Sequence, residues 1–366
     1  DVLALRSDTS SAVEYDLNGV HVYTLSLGKK RGTLARYAFE YGAFALWACW
    51  KLAGLMRKHR YEAVDVNTLP DFLVFAAWPA RRKGAAIVLD MHEITPEFYI
   101  SKYKIAPDSW VITALSWIER WSMGYADHVL TINEPIQRLL EGRGLQPDKS
   151  TVVMNSADEN LFTKADSASA DARRERSEGR FVMMYHGTLT NIYGLDIAID
   201  AFHISSPKMP RAEFWIIGGG PEKAALEERA IRNGLGSKVR FVGTVRPDEV
   251  QAWLSQCDIG VLATRQDIFL DYSFSNKLSE YIIMGKAVIA CRLKTIRHYF
   301  GDDALAYFAP EDVGDLARRM LELYEDETRR HRLSDCARLE FRPIRWEVMR
   351  ERYLTLMRRL LDCAPR

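Results

Sequence analysis

What most constrains this chain is a recurrence of short apolar runs separated by helical periods. Val20–Leu25 alternates apolar and polar residues, and near-continuous apolar runs follow at Ala63–Val66, Ala86–Leu89, Val129–Ile132 and Val152–Met154. Between them, at about 35–58, 71–82, 110–125 and 134–142, apolar residues recur with a helical period. Runs this apolar must be covered on both faces, and the intervening helices supply the cover, so an α/β fold with a parallel sheet is predicted. A second set repeats the arrangement at Phe181–Tyr185, Phe214–Ile217, Val239–Val242, Ile259–Leu262 and Val288–Ala290. Between the sets, Ala157 to Arg180 is rich in Ser, Asp, Ala and Arg and poor in large apolar residues, the composition of a connection. With 366 residues, 48% of them hydrophobic, each set can build its own core. Two doubly wound domains joined in this way imply a deep cleft between them, a favoured place for a ligand.

Charge and cysteine content remove several classes of function. The formal net charge of +1 gives no global attraction to nucleic acid. Cys49, Cys257, Cys291, Cys336 and Cys363 show no CxxC or zinc-ligand spacing, which argues against a disulfide framework and for a reducing cytoplasm. No metal-ligand set and no Asp-x-Asp pair is visible in the sequence, so no metal and no cofactor are expected. Gly218-Gly219-Gly220 is not a dinucleotide fingerprint, because the last position of G-x-G-x-x-G falls on Lys223.

Three places carry residues suited to chemistry. The first is SFSNKLSEYIIMGKAVIA, 273–290, entered from the loop RQDIFLDY, 265–272. Ser275 or Asn276 can cap a helix containing Leu278, Tyr281 and Ile282, which Gly285 ends before a buried strand. A loop feeding a helix N-terminus suits a phosphate, Lys277 adds a point charge, and Glu280 one turn on can accept from sugar hydroxyls. A capped surface helix with a solvated Lys and Glu accounts for the pattern equally well. The second is VLDMHEITPE, where Asp90, His92 and Glu93 follow a buried strand; a hydrogen-bonded loop histidine is the plainer explanation. The third is a series of glycine-bearing strand ends: Tyr185-His186-Gly187-Thr188-Leu189, Gly218 to Glu222, and Val242-Gly243-Thr244-Val245. Glycine lets backbone approach a ligand closely, although each alone is also an ordinary turn.

In this order the segments resemble the GT-B glycosyltransferases of family 4, which are retaining nucleotide-sugar enzymes. The resemblance rests on D-x-H-E-x-x-P-E at 90–97, NTLPDF at 67–72, HGTL with YGLDIAI at 186–199, IIGGGPE, VRFVGTV and KLSEY with GKAVIA. It implies two Rossmann-like domains facing a cleft and a C-terminal helix returning to the first. The corresponding spans are 1–163 for an acceptor-binding domain, 164–180 for the linker, 181–343 for the donor-binding domain and 344–366 for the helix. On the donor side it implies Gly187, Thr188, Gly218, Gly220, Arg265, Asp271, Tyr272, Ser275, Asn276, Lys277 and Leu278. The ribose falls to Glu280 and the nucleobase to the backbone of Gly243, Thr244 and Val245. On the acceptor side it implies Asp90, His92, Glu93 and Glu97, with His92 in a supporting polar role; His92, Lys277 and Glu280 form the catalytic set.

Three departures qualify the resemblance. Many members grip the diphosphate with an Arg and a Lys where this chain has Thr188 and Tyr193, and Tyr272 stands where an acidic residue often faces the donor sugar. The family's chains also open with a strand, a Gly-rich loop and a helix ahead of the strand that here begins DVLAL, so about one β-α unit of a βαβ motif is expected to be missing. A sheet lacking that strand would show unpaired edges.

Residues 29–60 combine an aromatic helix, RYAFEYGAFALWACWKLAGLMRKHR, with the basic clusters Lys29-Lys30-Arg31 and Arg57-Lys58-His59-Arg60. Its apolar part is too short to span a bilayer, so the helix reads either as an anchor on an anionic membrane surface or as a covered helix of the sheet. The amphipathic segment 344–361 closes the chain. The expected activity is metal-independent transfer of a sugar, with retention, from a nucleoside-diphosphate sugar to a lipid-linked or polysaccharide acceptor at the cytoplasmic face. The alternatives are a non-catalytic binding subunit and a GT-B sugar-nucleotide epimerase.

Overall fold

The computed structural model describes residues 1–6, 13–27, 34–163 and 179–363. The basic cluster Lys29 to Arg31 and nearly all of the linker 164–180 lie outside the described residues. The chain divides into two compact units, Asp1–Val153 with Arg352–Arg366, and Met154–Glu351.

In the first unit, β4 (Ala63–Asn67), β5 (Ala86–Met91), β6 (His128–Thr131) and β7 (Ser150–Val152) form a parallel sheet in that order. Ile87, Val88 and Leu89 of β5 are fully buried, as a strand covered on both faces requires. A separate sheet has the order β1 (Val2–Arg6), β3 (Val20–Ser26), β2 (Glu14–Leu17), with β1 parallel to β3 and β2 antiparallel to it. Among the described residues no strand pairs with the outer edge of β1 or of β4. Consecutive residues of both strands, Val2 to Leu5 and Ala63 to Asn67, line a cavity of 650 Å³ together with Phe44, Leu52 and Leu55. A strand face would present every second residue, so an unbroken run means that strand edges bound this space.

The helices Leu34–Lys58, Trp110–Tyr125 and Glu134–Gly142 fall where the periodicity places them. The expected helix at 71–82 instead splits into a 3₁₀ stretch, Asp71–Ala77, and a short α-helix, Trp78–Arg81. Pro79 lacks the N–H that would bond four residues back, which ends one helix and suits the first turn of the next. The helix Trp346–Cys363 counts with the first unit from Arg352 onward, where Leu356 packs with Val88 and Leu130.

The second unit is a six-stranded parallel sheet ordered β10-β9-β8-β11-β12-β13. Its strands are β8 (Phe181–His186), β9 (Ala212–Ile217), β10 (Val239–Gly243), β11 (Ile259–Leu262), β12 (Ala287–Cys291) and β13 (Ala306–Phe308). From β8 the chain steps outward through β9 and β10, then returns to the other side of β8 for β11. The sheet order therefore reverses between β8 and β11, and ligands of such sheets bind beyond the carboxyl ends of the strands at that reversal.

Candidate functional site

The carboxyl end of β8 carries His186 and Gly187, and backbone packing at this end leaves little room for side chains. Gly187 donates to the Ile217 carbonyl at 2.9 Å, Gly218 to the Gly243 carbonyl at 2.7 Å, and Leu189 to the Gly219 carbonyl at 3.0 Å. These bonds lock the loops after β8, β9 and β10 side by side. Gly218 has φ +132°, and a Cβ there would lie 1.9 Å from the Gly187 oxygen; one on Gly220 would lie 2.3 Å from the Leu189 oxygen. Both positions require glycine for close approach. Gly243, with φ +88°, ends β10; Thr244 beyond it is exposed, with its hydroxyl against Gly219, and Val245 is half-buried.

The helix Asn276–Ile283 brings the charged residues here. Its C-terminus is a Schellman motif, with Lys286 donating to the Tyr281 carbonyl at 2.9 Å and Gly285, φ +66°, to that of Ile282 at 3.0 Å. Leu278, Tyr281 and Ile282 are fully buried and hold the helix on the sheet. Ser275 is at the N-cap but its side chain caps nothing. Lys277, in the first turn, lies across Gly187, where a Cβ would come 2.3 Å from its Cε. Its ammonium sits 4.0 Å from the centre of the Tyr193 ring and 5.6 Å from that of Tyr185. Burial holds the Lys277 pKa below the usual lysine value, while Glu280 opposes that shift. Among the described residues nothing forms a hydrogen bond or ion pair with this ammonium.

Glu280 is bonded to His186 Nε2. His186 Nδ1 is 3.0 Å from the Tyr281 hydroxyl, which itself donates to the Met184 carbonyl at 2.8 Å. That hydroxyl has one proton, so Nδ1 must be the donor in the first contact. The ring and Glu280 then share a proton at Nε2, and the carboxylate is held in place from the sheet side.

Other expected donor residues are committed to partners. Arg265 bonds the Asn191 carbonyl at 3.0 Å, Asp196 at 2.6 Å, and Glu311. Its charge is thus offset by two carboxylates. Asp271 accepts from Gln266 Nε2 at 3.0 Å and from the Lys294 backbone at 3.2 Å. Tyr272 accepts from Lys294 Nζ at 2.9 Å, which puts a second cation beside this loop. The Thr188 carbonyl accepts from the Tyr185 hydroxyl at 2.9 Å.

In the first unit, His92 Nε2 is 2.8 Å from Asn67 Oδ1 and 3.2 Å from Asp90 Oδ2. Both neighbours are acceptors, so Nε2 carries the proton. The bond to Asp90 raises the His92 pKa, with Asp65 and Glu93 adding to it against burial. Asp65, bonded to the Tyr353 hydroxyl at 3.1 Å, is pushed up to about 6 by burial and by the Asp90 charge. Burial also raises Glu93. Glu97 is buried and paired with Arg143, which also bonds Glu119 at 3.1 Å. Among the described residues no group of three His, Cys, Asp or Glu is placed to hold a metal ion.

Sequence reasoning did not give Tyr193, His186, Tyr281 or Lys294 their contacts, nor Asp65 and Tyr353 theirs with each other. Nothing local signals the latter pair, which is 288 residues apart. His186 lies at a strand end singled out from the sequence and Tyr193 stands out there only as an uncharged position, but neither a ring under a distant lysine nor a histidine bonded to a distant carboxylate has a sequence period.

The family model "Glycosyl transferase 4-like domain" matches residues 1–156, and "Glycosyl transferases group 1" matches residues 180–326. The sulfoquinovosyl transferase SQD2 of Arabidopsis thaliana is 23% identical over 287 residues, covering 76% of this chain and 53% of the relative. A 2-deoxystreptamine glucosyltransferase of Streptomyces kanamyceticus is 22% identical, over 57% of this chain and 54% of its own length. The chain spans about half the length of the curated relatives it matches. Among solved structures, Anabaena Alr3699/HepE in complex with UDP and glucose superposes with a TM-score of 0.71 at 17% identity, covering 93% of this chain and 86% of that one. The sucrose-phosphate synthase of Thermosynechococcus elongatus gives 0.76 at 16% identity, covering 99% and 89%. These likenesses show a shared GT-B fold.

Proposed function

From the premise that the chain belongs to the group 1, family 4-like glycosyltransferases, we propose that it transfers a sugar, with retention, from a nucleoside-diphosphate sugar to a lipid-linked or polysaccharide acceptor. The observation that carries this reading is Lys277: a desolvated ammonium in the first turn of a helix, held over two tyrosine rings with no carboxylate among the described residues bonded to it. A diphosphate is the anion that such a cation and helix N-terminus accommodate. As the sugar leaves, negative charge grows on the departing diphosphate, and a fixed ammonium with a helix dipole stabilises it without rearranging. Glu280, oriented by His186, takes the ribose hydroxyls as acceptor. His92 has a polar supporting role on the acceptor side, and no metal is required. The Anabaena protein has been solved in complex with UDP and glucose, which makes UDP-glucose the first donor to test.

One observation favours a second reading, a subunit that binds nucleotide without turnover. With Arg265 paired to two carboxylates, and Thr188 and Tyr193 uncharged, little cationic charge remains for a leaving diphosphate. Incubation with UDP-, GDP- and ADP-sugars separates the two. Release of nucleoside diphosphate, greatly reduced in Lys277→Met, supports transfer. Nucleotide binding with no release from any donor, with an added lipid-phosphate acceptor, supports the binding subunit.

A further inference from the structure

We propose that the first unit docks on an anionic membrane surface through a tryptophan face built from three neighbouring segments. The helix Leu34–Lys58 leaves Phe39, Leu46 and Trp50 exposed, Trp50 at 74%. The helix Trp110–Tyr125 leaves Trp110, Trp117 and Trp121 exposed, Trp110 at 79%. In both helices the spacing is seven and then four residues, which puts each trio on one stripe. Between them, the 71–81 segment exposes Phe75 and Trp78.

The fold puts these stripes side by side. Leu34–Lys58 packs along the 71–81 segment, and Trp110–Tyr125 packs against Asp71–Ala77, where Phe75 meets Tyr125 edge-on at 5.0 Å. The crossovers from β4 to β5 and from β5 to β6 step the same way across the sheet. Right-handed crossovers therefore carry the 71–81 segment and the 110–125 helix over the same sheet face, with their exposed sides outward. Trp50, Trp78, Trp110, Trp117 and Trp121 are five of the chain's nine tryptophans. They present on the order of 600 Å² of ring surface, at the top of what a monomer ordinarily exposes.

Charge selects the occupant. Leu34–Lys58 contains one acid, Glu40, half-buried and paired with Arg36 at 2.7 Å. The acids of the other two segments, Asp71 and Glu119, are buried. The exposed charges on the segments themselves are basic, Arg57, Lys58, Arg81 and Arg120, with Arg82 immediately after the second; exposed Asp108 and Asp127 flank the third, Asp127 paired with Arg81 at 3.6 Å. Arg82 stacks on Trp78 at 5.1 Å. Indole rings on segments whose own exposed charges are all basic fit the boundary between anionic headgroups and acyl chains, where tryptophan is enriched. Among the described residues no helix is long and apolar enough to cross a membrane, so the contact is one of surface docking. This inference does not depend on the donor site, and its test does not require activity.

The test is flotation with phosphatidylcholine vesicles, with and without phosphatidylglycerol, accompanied by tryptophan fluorescence. The wild-type chain should float with the anionic vesicles, and its emission should shift to the blue. Trp117→Ser/Trp121→Ser, which changes only exposed side chains, should lose binding by about tenfold or more. Arg57→Glu/Lys58→Glu/Arg82→Glu should lose the preference for phosphatidylglycerol while keeping the wild-type circular dichroism. Failure of the wild type to float, or flotation of the folded tryptophan variant at wild-type level, overturns the proposal. So does self-association abolished by the same tryptophan changes without any vesicle binding, which would assign the face to a second copy of the chain.

Discussion

An ammonium moved out of water costs several kcal/mol unless something pairs with it. At Lys277 the described residues supply only the faces of Tyr193 and Tyr185, and a ring contact of this kind contributes about 0.5–2 kcal/mol. The remaining deficit is the physical reason to expect an anion. Tyr193, with its ring 4.0 Å from the Lys277 ammonium, holds that cation in place. The first unit shows the opposite balance, with carboxyl groups taken out of water. Asp71 is 2% exposed, accepts from Thr95 at 2.8 Å through one oxygen, and is pushed up to about 6 by burial. The folded state therefore holds this proton more tightly than the unfolded chain does. The resulting stability is fully present below the ordinary value of 3.8 and is lost as pH rises through about 6. Asp71→Asn should stabilise the first unit by on the order of 2–3 kcal/mol near pH 8 and by clearly less near pH 5. Thermal unfolding at the two pH values checks this, and an equal shift at both would refute it. Asp65, raised to about 6, and His128, lowered to about 4, titrate in both proteins and cancel in the comparison, whereas Glu119, raised to about 7 by burial and in part by the Asp71 charge, is relieved in the variant and adds to the stabilisation near pH 8.

Among the elements, the helix Asn276–Ile283 was legible because its signals are local: a polar entry, an apolar stripe and Gly285 in the Schellman position. The glycine loops after β8 and β9 were legible only as glycine clusters. What glycine does there depends on which backbone lies opposite, and sequence does not show that. The two positions can be told apart by substitution. Gly218→Ala places a Cβ 1.9 Å from the Gly187 oxygen at φ +132°, whereas Gly219→Ala meets only the Thr244 hydroxyl at 2.8 Å, a side chain free to rotate. Gly218→Ala should cost about 2–4 kcal/mol in the second unit, and Gly219→Ala much less. Equal unfolding midpoints for the two variants would show that the loop packing is not as described. The break of the 71–82 helix at Pro79 was present in the sequence as a proline, yet the apolar period continues across it and predicted one helix.

For the whole molecule, the alternation of strands and helices predicted both parallel sheets, and most element boundaries fall within a few residues of the pattern. The strands β1-β3-β2 form a sheet of their own rather than joining β4-β5-β6-β7, so the Val20–Leu25 run does not belong to the parallel sheet predicted for it, and the edges of β1 and β4 border one cavity. The chemistry was less legible than the fold. Lys277 and Glu280 could be singled out from helix position and charge type, but Arg265 could not be seen to be paired until Asp196 and Glu311 were placed beside it. The tryptophan face was half visible, in the 34–58 helix, and needed the tertiary structure to join Trp78, Trp110, Trp117 and Trp121 to it.

The most direct test is calorimetric titration with UDP, GDP and ADP, on the wild-type chain and on Lys277→Met. A charge-assisted contact to phosphate is worth about 1.5–3 kcal/mol, so one diphosphate should bind the wild type and bind Lys277→Met at least about tenfold more weakly, with no loss of thermal stability. If the nucleotide binds both proteins equally, or binds neither while both are folded, Lys277 is not the diphosphate contact and the donor site proposed for the second unit is wrong.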